Sequence, residues 1–225
     1  MKPKEHTWPQ YIRNGLGFKL SRVGEKLSID ALTYNPVIME SFHSFALQNA
    51  AKVVAAIREV FAEAYSVIDV GCGSGAFAAE FTRQGVRAIG LEHSRHGVEL
   101  ARRQGVDCRP FDVARPVAAQ IRETGDLVYS FEVAEHVPAS LADSFVHFMT
   151  CLGPLVVFTA AQPGQEGIGH INVQPLNYWI EKFERAGFSH SIVETETLRA
   201  AFQKRETSYW FFKNSAVFRR SQVGE

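Results

Sequence analysis

Two carboxylates and an imidazole stand within five residues in Glu132-Val-Ala-Glu135-His136, and a second imidazole follows in the glycine-rich stretch Pro163-Gly-Gln-Glu-Gly-Ile-Gly-His170. If one helical turn carries the first group, Glu132, Glu135 and His136 fall at i, i+3 and i+4 on one face. Two carboxylates converging there repel each other unless protons or a cation intervene. Carboxylate oxygens mixed with imidazole suit a divalent ion such as magnesium, manganese, iron(II) or zinc, with His170 as a fourth ligand. Such an ion lowers the pKa of a bound hydroxyl and fixes its direction of attack. Without an ion, His136 or His170 can serve as the general base of a catalytic reaction.

A second constellation lies upstream. The run Val67-Ile-Asp-Val-Gly-Cys-Gly-Ser-Gly75 reads as a strand end opening into a helix. Its segment Gly71-Cys72-Gly73 lets backbone approach a ligand closely. Asp69, just before the loop, suits the ammonium-bearing methionine portion of a sulfonium cofactor better than a pyrophosphate. The same loop also fits a dinucleotide fingerprint, Gly71-x-Gly73-x-x-Ala76, so a nicotinamide-dependent oxidoreductase is an alternative. Glu92 ends the next strand, where a carboxylate can accept both hydroxyls of a ribose. Asp112, in Pro110-Phe-Asp-Val113, ends a third strand and is placed for an adenine amino group.

These residues need elements to hold them. Apolar residues recur at helical spacing from Val37 to Ala64, as expected of a helix covering a sheet face. Short apolar runs then alternate with helical segments. Strands are expected at Ser66–Val70, Ala88–Leu91, Cys108–Phe111, Leu127–Phe131 and Leu155–Ala160, with helices at Ala76–Gln84, Gly97–Gln104 and Leu141–Leu152. That alternation implies an α/β fold: a Rossmann-like, mostly parallel sheet with helices on both faces and its ligand at the carboxyl ends of the strands. Pro175–Ala186 reads as a helix, with Trp179 in the core. The stretches Ser189–Thr195 and Tyr209–Phe218 read as an antiparallel closing pair of strands without a crossover helix between them. Residues 1–36 read as an irregular N-terminal arm or lid, and 37–225 as one domain.

Composition narrows the classes. The 225 residues carry 24 Lys plus Arg and 24 Asp plus Glu, so no global field favours nucleic acid. Cys72, Cys108 and Cys151 are scattered, without the spacing of a disulfide framework or a thiolate zinc site. The N-terminus lacks the pattern of a signal peptide and no run reaches the length of a membrane span, so a cytoplasmic protein without a membrane partner is expected.

From about residue 65 to 220 the chain resembles class I S-adenosylmethionine-dependent methyltransferases. The residues that carry the resemblance are VIDVGCGSG, the acid in GLEHS, the aspartate in PFDVA and SFEVAEHVP. It implies a seven-stranded sheet with one reversed strand. It also implies S-adenosylmethionine bound by Asp69, Gly71, Cys72, Gly73, Glu92 and Asp112, with the backbone of Phe131 beside the cofactor. The pattern Glu-x-x-Glu-His with a later His resembles the metal site of small-RNA terminal 2′-O-methyltransferases and of some ubiquinone-pathway O-methyltransferases. The expected reaction is O-methylation of a hydroxyl-bearing small molecule or sugar, assisted by a divalent metal at Glu132, Glu135, His136 and His170. An RNA-terminal 2′-O-methyltransferase is the nearest variant, and the balanced charge argues against it. The string AAQPGQEGIGHINVQPLNYW resembles one in bacterial methyltransferases of small-molecule biosynthesis, which suggests that Gln165, His170, Asn172 and Gln174 face the acceptor.

Overall fold

The apolar runs become strands in the computed structural model, which describes residues 15–27, 30–115, 117 and 120–221. The strands are β1 (Ser66–Val70), β2 (Arg87–Glu92), β3 (Asp107–Pro110), β4 (Leu127–Phe131), β5 (Leu155–Thr159), β6 (Phe188–His190) and β7 (Ala216–Arg220). They form one sheet in the order β3-β2-β1-β4-β5-β7-β6. β1 to β5 pair in parallel, while β7 runs antiparallel to both β5 and β6. The order reverses between β1 and β4, so their carboxyl ends diverge into the crevice where open α/β sheets bind ligands.

Successive residues of the central strands feed opposite layers. Val67, Leu127, Tyr129, Leu155 and Val157 pack on one face of the sheet, and Ile68, Val128, Val156 and Phe158 on the other. The first face is covered by α3 (Pro36–Val60), α4 (Ala76–Arg83), α5 (Arg95–Arg103), α8 (Ile192–Lys204) and α9 (Tyr209–Asn214). The second is covered by α6 (Ala142–Leu152) and α7 (Leu176–Arg185), which bring Phe145, Phe148, Trp179 and Phe183 into the core. Helices therefore lie on both faces, and Trp179 is a core residue, 0% exposed. Asn35 caps α3: its side chain accepts from the Val37 and Ile38 amides, with Pro36 in the first turn where no N–H is needed.

Two expectations are corrected. The segment before residue 36 is not irregular where it is described, because α1 (Leu16–Leu27) and α2 (Asp30–Thr33) occupy it; residues 1–14 lie outside the described residues. The closing strands are also shorter than the sequence suggested, and a helix does lie between them. The β-branched pair Ile192-Val193 that suggested a strand is the exposed first turn of α8, at 66% and 78% exposure. Thr195, Leu198 and Phe202 follow at helical spacing and are buried, so packing overrides the local β preference. Tyr209-Trp-Phe-Phe212 likewise opens helix α9, burying Phe211 and Asn214 three residues apart, and only Ala216 onward joins the sheet.

Candidate active site

The tip of β1 carries Asp69 into the switch-point crevice, where it is 2% exposed and its Oδ2 has no hydrogen-bond partner among the described residues. Burial raises its pKa well above the ordinary carboxylate range, with the nearby Tyr129 hydroxyl pulling the other way. The chain then turns at Gly71, with φ of +80°, where a Cβ would lie 2.5 Å from the Val133 side chain. Only glycine combines that conformation with so close an approach to the loop after β4. Gly73 faces open space. Its amide donates to Glu92 Oε2 at 2.8 Å, while the Ser94 amide donates to Oε1 at 2.6 Å. Burial raises the Glu92 pKa and these two backbone donors oppose the rise. Glu92 thus ties the glycine loop to the end of β2.

The other expected cofactor residues divide. Asp112 sits just after β3, its Oδ1 accepting from the Ala114 amide at 2.9 Å and its own amide donating to Gln120. Phe131 ends β4 with its ring against Phe77 and Phe211, leaving its backbone at the strand tip. Cys72 turns its side chain inward. Its thiol lies 3.7 Å from Cys108 Sγ in the core, and its amide donates to the Leu91 carbonyl.

After β4 the chain does not enter a helical turn at once. Glu132 adopts a left-handed conformation, φ +54°, and a single 3₁₀ turn, Ala134–His136, follows. Glu132 therefore reaches the cluster from a left-handed backbone rather than from a shared helical face, and its carboxylate still lies beside that of Glu135. The Glu132 carboxylate accepts from Gln165 Nε2 at 2.5 Å and Asn214 Nδ2 at 3.3 Å, and Asn214 also donates to Gln165 Oε1 at 2.9 Å. The structure instead brings together Glu135, His136 and His170, whose ligand atoms lie within 4.8 Å of one another. Backbone bonds set this up: the Ile171 and Asn172 amides both donate to the Glu135 carbonyl at 2.9 Å.

The tautomers follow from the partners. His136 Nδ1 lies 3.0 Å from the Gly169 carbonyl and His170 Nδ1 lies 3.1 Å from the Gln165 carbonyl. A carbonyl can only accept, so each Nδ1 is a donor and His170 Nε2 holds a bare lone pair, while His136 also bonds the Glu132 backbone. Burial, and then His170, lowers the His136 pKa to about 4; burial lowers that of His170 as well. Between them lies Glu135, 0% exposed, with Oε1 3.9 Å from His170 Nε2 and neither oxygen hydrogen-bonded among the described residues. Burial and the Glu132 charge raise its pKa well above the usual range. A buried carboxylate without a donor, flanked by imidazoles whose far nitrogens are anchored to carbonyls, fits a divalent cation.

Several contributors were not legible in the sequence. Tyr34 Oη lies 3.1 Å from His136 Nδ1, and Glu25 Oε1 accepts from the Gly169 amide at 2.5 Å, so α1 and the residue after α2 reach the loop bearing His170. Gly169, at φ +74°, passes so close to Tyr34 that a Cβ would lie 2.5 Å from its hydroxyl. His43 of α3 lies 2.9 Å from Ser74 in the glycine loop. Asn214 was hidden in a segment read as strand. Of the residues expected to face an acceptor, Gln165 is engaged by Glu132 and Asn214, and Gln174 donates to Asn172 Oδ1. The Asn172 Nδ2 is buried without a hydrogen-bond partner among the described residues.

A strand order with one reversed strand, a glycine loop leaving β1 and acids ending β1, β2 and β3 together define the class I S-adenosylmethionine-dependent methyltransferase fold. The family described as a methyltransferase domain matches residues 42–206, and the chain belongs to it. The nicotinamide alternative falls with that membership. The chain is 29% identical over 122 residues to the ubiquinone biosynthesis O-methyltransferase of Rhizobium rhizogenes, a match covering 52% of this chain and 47% of that protein. The Agrobacterium fabrum enzyme of the same name is 30% identical over 111 residues, covering 46% and 42%. The chain thus spans about half the length of these curated relatives. Among solved structures, the SAM-bound amino pentose methyltransferase CalS10 from Micromonospora echinaspora has a TM-score of 0.61 at 18% identity, covering 78% of this chain and 92% of its own. An O-methyltransferase family protein from Burkholderia thailandensis has a TM-score of 0.62 at 14% identity, covering 95% and 69%.

Proposed function

We propose that this methyltransferase transfers the methyl group of S-adenosylmethionine to a hydroxyl oxygen of a small molecule or sugar, with a divalent ion held by Glu135, His136 and His170. The observation that carries the reading is Glu135, buried without a hydrogen-bond partner, whose carboxylate lies within 4.8 Å of a ring nitrogen of both His136 and His170. The names of the relatives, ubiquinone biosynthesis O-methyltransferases and an amino pentose methyltransferase, agree with a hydroxyl-rich acceptor.

In this reading Asp69 receives the cofactor ammonium, Glu92 the ribose hydroxyls and Asp112 the adenine amino group, while the Phe131 backbone borders the sulfonium. His136 and His170 are neutral, with rings fixed through Nδ1, and they orient the acceptor hydroxyl toward the methyl carbon. Glu132, held by Gln165 and Asn214, supports the cluster from outside the ligand set. A divalent ion bound there would lower the pKa of the acceptor hydroxyl. Helices α1 and α2 act as a lid, latched by Glu25 and Tyr34, that excludes water from the acceptor side.

The test is release of S-adenosylhomocysteine from S-adenosylmethionine across a panel of catechols, sugars, amines and RNA 3′ ends. Turnover of hydroxyl acceptors is expected, lost on chelation, restored by manganese and absent in His136→Ala. Turnover indifferent to chelation and to His136→Ala would remove the ion. Methylation confined to amines or RNA would remove the acceptor assignment.

A further inference from the structure

Helix α1 is mounted with its apolar side outward. Leu16, Leu20, Val23 and Leu27 recur at i, i+4, i+7 and i+11, one stripe along the helix, and are 73%, 39%, 45% and 62% exposed. The face turned inward is made of small residues: Gly17, Ser21 and Gly24 are buried. Added Cβ atoms at Gly17 and Gly24 would lie 2.5 Å from Val37 Cβ and 2.4 Å from the Thr33 amide. The orientation is therefore locked by close packing, because no larger residue fits the seam. A surface helix ordinarily buries its apolar stripe.

The charges on α1 indicate what covers it. Lys19 and Lys26 are exposed and lie on the flank of the stripe away from the glycine seam, with Arg22 next beyond them. Residues 1–27 hold six Lys or Arg (Lys2, Lys4, Arg13, Lys19, Arg22, Lys26) against two acids, Glu5 and Glu25, in a chain that carries 24 Lys plus Arg and 24 Asp plus Glu in all. The stripe exposes on the order of 400 Å², about half of the ~800 Å² per partner that a stable dimer buries. An antiparallel two-fold contact through it would also set the two lysine rows side by side. A planar anionic surface takes leucines and lysines together. An amphipathic helix with a basic flank lies at a bilayer interface in this way.

We infer that α1 docks the protein on an anionic phospholipid surface, with Leu16, Leu20, Val23 and Leu27 in the acyl–headgroup boundary and Lys19 and Lys26 at the lipid phosphates. Among the described residues no helix is long and apolar enough to cross a membrane, so this is attachment to one face. Glu25, on the opposite side of α1, bonds the Gly169 amide, so the docked helix is one hydrogen bond from the loop bearing His170.

The experiment is co-sedimentation of the purified full chain with vesicles of phosphatidylcholine alone or mixed with phosphatidylglycerol, at low and high salt. Binding only to the anionic vesicles, weakened by salt, is expected. Leu20→Gln with Leu27→Gln should weaken it at least tenfold, since each loses most of a buried leucine's transfer energy. Lys19→Gln or Lys26→Gln should each weaken it about fivefold. All four positions are exposed, and circular dichroism verifies that the variants remain folded. Equal binding to both vesicle types, or none to either, would overturn the inference. So would sedimentation equilibrium showing a dimer that the leucine exchanges dissociate, which would assign the stripe to a second copy.

Discussion

Replacing Glu135 with glutamine should stabilise the metal-free protein while abolishing its response to metal. The carboxylate is fully buried without a hydrogen-bond donor, and its charge faces that of Glu132. Glutamine keeps the shape, carries no charge and can donate its amide toward His170 Nε2, now 3.9 Å from Oε1. An unsatisfied buried polar group costs about 1–3 kcal/mol. For a chain of this size about 1 kcal/mol moves the melting midpoint by ~2–4 °C, so Glu135→Gln should melt ~2–12 °C higher than wild type in chelator at pH 8. The sign with pH follows from the raised pKa of Glu135. Its contribution to stability is fully present below the unfolded-state carboxylate pKa and is lost as pH rises through the higher folded value. The advantage of the variant should therefore grow from pH 5 to pH 8. Added manganese should reverse the order, because an ion at about 100 times its Kd stabilises the wild type by ~2.7 kcal/mol and finds one ligand fewer in the variant. Thermal melts by circular dichroism, with chelator and with manganese, measure both effects. A lower melting point for Glu135→Gln in chelator, or an undiminished manganese shift, would refute the assignment of Glu135 as an unsatisfied ligand.

Two further outcomes test the supports of the site. Tyr34→Phe removes a partner of His136, and a loss of about 0.5–1.5 kcal/mol in stability is expected; kcat should fall while calorimetric affinity for S-adenosylhomocysteine stays within twofold, and an unchanged kcat would free Tyr34 of any role. Glu92→Ala frees the Gly73 and Ser94 amides as well as the expected ribose contact, so S-adenosylhomocysteine should bind at least tenfold more weakly, read by calorimetry; equal affinity would limit Glu92 to fixing the loop.

What could be read in the sequence was what repeats locally. Strands β1 and β4 matched the expected ranges because apolar runs on a sheet buried on both faces end abruptly at their ligand-bearing tips. Asp69, Glu92 and Asp112 stood out in the sequence because each interrupts, closes or follows such a run. The cluster was legible in part. Glu135, His136 and His170 meet, whereas the route of Glu132 was not legible, because it runs through a left-handed backbone that glutamate seldom adopts and that no pattern of residue types announces. Tyr34, Glu25, His43 and Asn214 were missed because their relevance comes from tertiary contacts spanning between 31 and 144 positions. The α8 segment misled because two β-branched residues at its exposed start outweighed the buried spacing behind them.

The strand order also sets when this site can exist during folding. β6 is made before β7 but sits outside it, held to the rest of the sheet through β7 alone. The sheet edge therefore waits for the last strand, and Asn214, two residues before that strand, arrives with it to bond Glu132. Closing these distant contacts carries the loop-closure entropy of long separations, which slows their formation. A chain released up to α8 already holds β1 to β5 and the glycine loop, yet has neither its final sheet edge nor the amide that anchors Glu132. The glycine loop and β1 to β5 thus draw on chain made early, whereas the bond that anchors Glu132 draws on chain made last.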